Sequence, residues 1–159
     1  MYNDKKCIAI VFDQSFIIYN VTIPMGIIKT ILEKNKDSYF VYGGLPRLND
    51  HVEQYASSLK MPKERLIKIE IPQCIHKKIL VKELSAKWLL QMLSYKPDKL
   101  FIFRDSSHIN ETVPLVTNCM KLKIPVIEYN NRGEFREVYK NPSEINPFFM
   151  TTDGWQYPY

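Results

Sequence analysis

Residues 6–12 read KCIAIVF, a continuous apolar run in which Ile8, Ile10 and Val11 are β-branched. A run of that kind fits a strand buried on both faces, and such strands belong to parallel sheets covered by helices. Four more runs follow, at residues 39–42 (YFVY), 66–71 (LIKIEI), 100–103 (LFIF) and 125–129 (PVIEY). The stretches between them carry helical spacing. Thr22 is placed to cap the first helix, with Pro24 in its first turn and Ile27, Ile28, Ile31 and Leu32 along one stripe. Asn49 or Asp50 is expected to cap the second, whose Val52, Tyr55, Ala56 and Leu59 fall at i, i+3, i+4 and i+7. A third helical region turns Leu84, Trp88, Leu89, Met92 and Leu93 inward and ends before Pro97. Val113, Val116 and Met120 mark a fourth helix. Strands that alternate with helices predict an α/β fold, a Rossmann-like three-layer sandwich with a five-stranded, mainly parallel sheet.

The pattern occupies residues 1–130 of a chain of 159, a length suited to one domain with a real core. Residues 131–159 lose the periodicity but hold Phe135, Tyr139, Phe148, Phe149, Trp155, Tyr157 and Tyr159. So much aromatic surface predicts an extension packed on the domain or on a partner subunit, and with it a homodimer. The 22 Lys and Arg against 17 Asp and Glu give a net charge of +5. The cations are scattered, which describes a mildly basic surface more than a nucleic-acid footprint. Cys7, Cys74 and Cys119 form no C-x-x-C pair, the first residues are polar, and no apolar run reaches the roughly 20 residues of a membrane helix. The expectation is a cytoplasmic protein with reduced thiols and no membrane contact.

Ligands of an open parallel sheet bind outside the carboxyl ends of its strands. Here polar loops leave those ends. Asp13, Gln14 and Ser15 follow the first strand, and Gly43, Gly44 and Arg47 follow the second. The fourth is followed by Asp105, Ser106, Ser107, His108, Asn110, Glu111 and Thr112, richer in hydrogen-bonding side chains than a plain connection requires. Gly43-Gly44 permits close backbone approach with Arg47 near, and Thr112 opens a helix whose free N–H groups favour phosphate. Glu111 reads either as a carboxylate compensating the helix dipole or as a general base on an N-glycosidic substrate. Cys74 and His76 alone are too few for a metal site, and no metal or cofactor is expected.

Gly43-Gly44, then Asn49, then Tyr55-Ala56 resembles the Gly-Gly-x-x-x-x-Asp helix of the SLOG superfamily, which takes in YspA-like proteins, DNA-processing protein A and the Lonely Guy phosphoribohydrolases. Thr112, Cys119 and Ile124-Pro125-Val126 are similar to that superfamily's Thr, small helix residue and closing Ile-Pro-Val. The motif Asp is Asn49 here, the Gly before the Thr is Glu111, and Leu115 stands where a Lonely Guy enzyme has Glu. The resemblance implies a Rossmannoid domain that binds a nucleotide or nucleotide-derived small molecule. The residues expected to do so are Asp13, Gln14, Ser15, Gly43, Gly44, Arg47, Asn49, Asp105, Ser106, His108, Asn110 and Thr112. Two alternatives stand beside it: a nucleotide N-glycosidase with Glu111 as its catalytic carboxylate, and a DNA-binding protein.

Overall fold

The computed structural model describes residues 6–13, 16, 18–69, 88–104 and 112–139. Strand β1 (Cys7–Phe12) is buried along its whole length, as its unbroken apolar sequence requires. It lies between β2 (Tyr39–Gly44) and β4 (Lys99–Phe103), with β3 (Leu66–Ile69) outside β2 and β5 (Val126–Tyr129) outside β4. All of these neighbours pair in parallel. The resulting order, β3-β2-β1-β4-β5, is the Rossmann-like winding, in which the chain reverses direction across the sheet between β1 and β4.

A sixth strand completes the sheet. β6 (Phe135–Tyr139) folds back antiparallel on β5 through a tight turn, in which Asn130 Oδ1 accepts from the N–H groups of Arg132 and Glu134 at 3.0 Å each. Gly133 sits in that turn at φ 83°, and a side chain there would strike Ile23. The sequence pattern predicted five strands because β6 (FREVY) sits on an edge and never becomes fully buried, which leaves only a weak apolar alternation to read.

Helices α1 (Thr22–Lys34) and α2 (Pro46–Ser58) cover one face. Ile27, Ile28, Ile31 and Leu32 of α1 and Leu48, Val52 and Ala56 of α2 meet Ile8, Ile10, Phe12, Phe40 and Phe103 from the sheet. α3 (Val113–Lys121) and a 3₁₀ turn (Leu90–Tyr95) cover the other face, where Leu115, Val116, Cys119, Leu89 and Met92 meet Ala9, Val11, Val41, Leu100 and Ile102. Burying these side chains on both faces is the main stabilising term, about 1.5–3 kcal/mol for each large one.

Two helix starts differ from the expected ones. α1 begins at Thr22 itself, whose N–H and hydroxyl both donate to Asn20 Oδ1, at 3.1 and 2.7 Å, so Asn20 supplies the capping oxygen. α2 begins at Pro46, ahead of Asn49 and Asp50. Proline's fixed φ suits the first helical position and its ring holds Leu45 extended, so the helix starts where the proline allows. Asn49 is thereby carried inside the helix and buried. Among the described residues no helix is long and apolar enough to cross a membrane.

Candidate functional site

At the reversal between β1 and β4, the chain leaves β1 toward the α1 face and leaves β4 toward the α3 face. The two departures are tied together. Asp13, one residue past β1, donates its N–H to the Phe103 carbonyl at 2.9 Å. Its carboxylate crosses to the start of α3, where Oδ2 accepts from the Thr112 hydroxyl at 2.7 Å and from the Thr112 N–H at 3.2 Å. Both residues are buried, at 1% and 0% exposure. Thr112 therefore bonds across the sheet edge instead of capping its own helix.

The polar cluster continues along the edge. Arg104, just past β4, donates Nη1 to Thr112 Oγ1 at 3.3 Å and Nε to Glu128 on β5. Glu128 is fully buried, and its second oxygen takes Arg136 Nε of β6 at 2.6 Å. The register that sets Glu128 beside Arg136 makes this pairing possible. A buried carboxylate between two guanidinium groups is satisfied only when both are in place. The four charged groups, Asp13, Arg104, Glu128 and Arg136, sum to zero.

The opposite face of the same strand ends is aromatic. Phe12 lies 5.1 Å from Phe103, Phe103 5.1 Å from Tyr129, and Tyr129 6.0 Å from Phe135, ring centre to ring centre, so a row of rings crosses four strands. Phe16 meets Phe103 edge-on at 5.7 Å, which pins the loop after β1 to this floor. Burial pushes the Tyr129 hydroxyl up to about 12. The row packs across the same strand ends on which the polar cluster stands, from the opposite face.

The remaining expected residues divide by position. Gly43 and Gly44 end β2, and each is required by the sheet itself. A Cβ on Gly44, at φ 117°, would lie 1.9 Å from the Phe12 carbonyl oxygen, and one on Gly43 would lie 2.9 Å from that of Ile69. Arg47 is exposed on the first turn of α2, and no ion pair holds it among the described residues. Asn49 lies one turn before Glu53, on the flank of α2 where Glu53 takes the Tyr42 hydroxyl at 2.5 Å and Lys68 at 3.3 Å. Asn49 Oδ1 is buried with no hydrogen-bond partner among the described residues. Gln14, Ser15, Asp105, Ser106, His108, Asn110 and Glu111 lie outside the described residues, as do Cys74 and His76.

Three members of the polar cluster were not singled out from the sequence: Arg104, Glu128 and Arg136. Two signals were present. Glu128 interrupts the apolar strand PVIEY, and Arg104 directly follows LFIF. An ionisable residue in or against a buried strand implies a partner of opposite charge.

No known family matches the sequence, and no curated protein matches it. Among solved structures, UDP-GlcNAc 2-epimerase from Neisseria meningitidis bound to UDP-GlcNAc is similar, at 16% identity and a TM-score of 0.49, over 78% of this chain and 32% of that one. A UDP-N-acetylglucosamine 2-epimerase is similar at 16% identity and a TM-score of 0.48, over 79% and 33%. MurG from Acinetobacter baumannii is similar at 12% identity and a TM-score of 0.46, over 79% and 35%. The chain spans about a third of the length of each of these proteins.

Proposed function

We propose that this chain binds a nucleotide or nucleotide-derived small molecule at the carboxyl edge of its sheet, as a divergent cytoplasmic relative of the SLOG superfamily. The observation that carries the reading is the gathering of Asp13, Thr112 and Arg104 at the β1–β4 reversal, the position where open α/β sheets take their ligands. Packing needs alone would fill that position with apolar side chains, and buried polar groups demand partners. In the sequence Gln14 and Ser15 directly follow Asp13, and Asp105, Ser106, His108 and Asn110 fall between Arg104 and Thr112; the reading assigns these hydrogen-bonding side chains to the ligand. Arg47 supplies charge, and the buried Asn49 Oδ1 is an acceptor for a ligand hydroxyl or amine.

A thermal-shift screen against nucleosides, nucleotides, NAD, ADP-ribose and cyclic dinucleotides tests the proposal, because a ligand that binds only the folded state raises Tm. At least one compound should raise it, and His108→Ala or Asn110→Ala should weaken that compound about tenfold, or 1.4 kcal/mol. A panel that leaves Tm unmoved contradicts the reading. So does a shift produced only by oligonucleotides with steep salt dependence, which would mark a nucleic-acid surface instead.

A further inference from the structure

The start of α3 lies at the strand-order reversal, one of the places where a sheet of this winding can offer backbone N–H groups to a phosphate. In this chain the two donors of Thr112 are already committed. The Thr112 N–H and hydroxyl both go to the Asp13 carboxylate. Pro114, next but one along, has no N–H to give. The Val116 N–H is used within the helix, on the Thr112 carbonyl.

Charge points the same way. A phosphate seated on Thr112 would lie against Asp13, and two anions at such a distance repel strongly away from water. Arg104, the cation bonded to Thr112 among the described residues, is engaged by Glu128, which also engages Arg136. Among the described residues the cluster has as many carboxylates as guanidinium groups, so its own charges sum to zero.

We propose that Asp13 acts as a resident anion that sets specificity at the reversal point. It closes the start of α3 to phosphate, and a ligand presents an uncharged or cationic group there, such as a sugar hydroxyl or a base amine. The inference rests on the proposed binding function for its ligand but not for its exclusion of phosphate, and the two fail separately.

Inorganic phosphate is the probe for the second. Tm and the Thr112 amide resonance of the wild-type protein are followed as phosphate replaces chloride at constant ionic strength, and the titration is repeated on Asp13→Asn. The wild type should respond to phosphate no more than to chloride. Asp13→Asn keeps the shape and an acceptor oxygen but drops the charge, so it should gain a saturable rise in Tm and a shift of the Thr112 amide. Saturable phosphate binding by the wild type at Thr112 overturns the proposal, and so does an Asp13→Asn protein that folds and stays indifferent to phosphate. If that variant does not fold, the wild-type titration still decides. Should the whole panel of nucleosides, nucleotides, NAD, ADP-ribose and cyclic dinucleotides fail to bind the wild type, the binding function falls while the phosphate result stands on its own.

Discussion

Asp13 and Thr112, 99 residues apart in the chain, are joined by a 2.7 Å hydrogen bond from the threonine hydroxyl to the aspartate carboxylate. The bond links the exit of β1 to the start of α3, and so ties together the two sides of the reversal point. A threonine in that position would ordinarily cap its own helix. Here the hydroxyl is spent on a buried carboxylate, and hydrogen bonds to charged groups are worth about 1.5–3 kcal/mol.

Thr112→Val keeps the shape and removes that donor. It should lower unfolding stability by about 1.5–3 kcal/mol, more than the roughly 1 kcal/mol of a lost cap, while Thr112→Ser should recover most of the loss. Urea denaturation of the three proteins checks this. Equal stability of Thr112→Val and wild type would remove Asp13–Thr112 from the account of the edge.

Glu128 is a second point of leverage. Glu128→Leu leaves Arg104 and Arg136 without their shared carboxylate, and breaking a buried ion pair by removing one partner costs about 3–5 kcal/mol. Arg136 is part-exposed, so the lower end of that range is expected here. Adding Arg104→Met to Glu128→Leu should recover part of the loss, because an apolar pair leaves less charge unmatched. A double variant less stable than Glu128→Leu alone would contradict the pairing.

Gly44→Ala should be among the most damaging single substitutions in the chain. The added methyl meets the backbone of Phe12, which cannot turn aside as a side chain could, at a φ of 117° that alanine resists. A loss of about 3 kcal/mol or more, or failure to fold, is expected. Near-normal stability would mean that β2 does not approach β1 as described.

The strands and the apolar faces of α1 and α2 were legible because their signal is periodic and local, whereas on α3 Val113 and Met120 proved exposed and Leu115, Val116 and Cys119 form the buried face. Ile27, Ile28, Ile31 and Leu32 form one stripe in any reading of that segment, and all four are buried. The start of α2 was misplaced because Asn49 and Asp50 carry capping chemistry, whereas Pro46 carries the stronger geometric constraint. Asp13 and Thr112 were both marked as edge residues from their positions after a strand and before a helix. Their bond to each other was not legible, since nothing local joins residues 99 apart. The Glu128 cluster depended on the register of β5 against β6, and β6 was not read as a strand at all. The Gly43-Gly44 pair was read for its openness to a ligand, and the geometry shows a second reason for it, the closeness of neighbouring strands.

Alkaline pH should weaken the fold in a defined window. Burial raises the thiols of Cys7 and Cys119 from 9.0 to about 11 and about 12, and the Tyr129 hydroxyl from 10.0 to about 12. Each folded value lies above its unfolded one, so the folded state holds these protons longer. Their contribution is fully present below pH 9 and is lost as pH rises through the window from 9 to 12. Denaturant midpoints should therefore be level in these groups up to about pH 9 and fall beyond it, less steeply in Cys119→Ala. A midpoint that rises across that window would contradict the burial of all three.

Backbone amide resonances of the labelled protein, followed during titration with the compound that raises Tm most, test the central claim most directly. Asp13, Arg104 and Thr112 should shift together along one saturation curve. Lys68 on the far edge strand and Lys121 at the distal end of α3 should stay in place. Shifts confined to the edge strands or to the surface of α3, with the reversal point unmoved, would contradict a ligand site between β1 and β4.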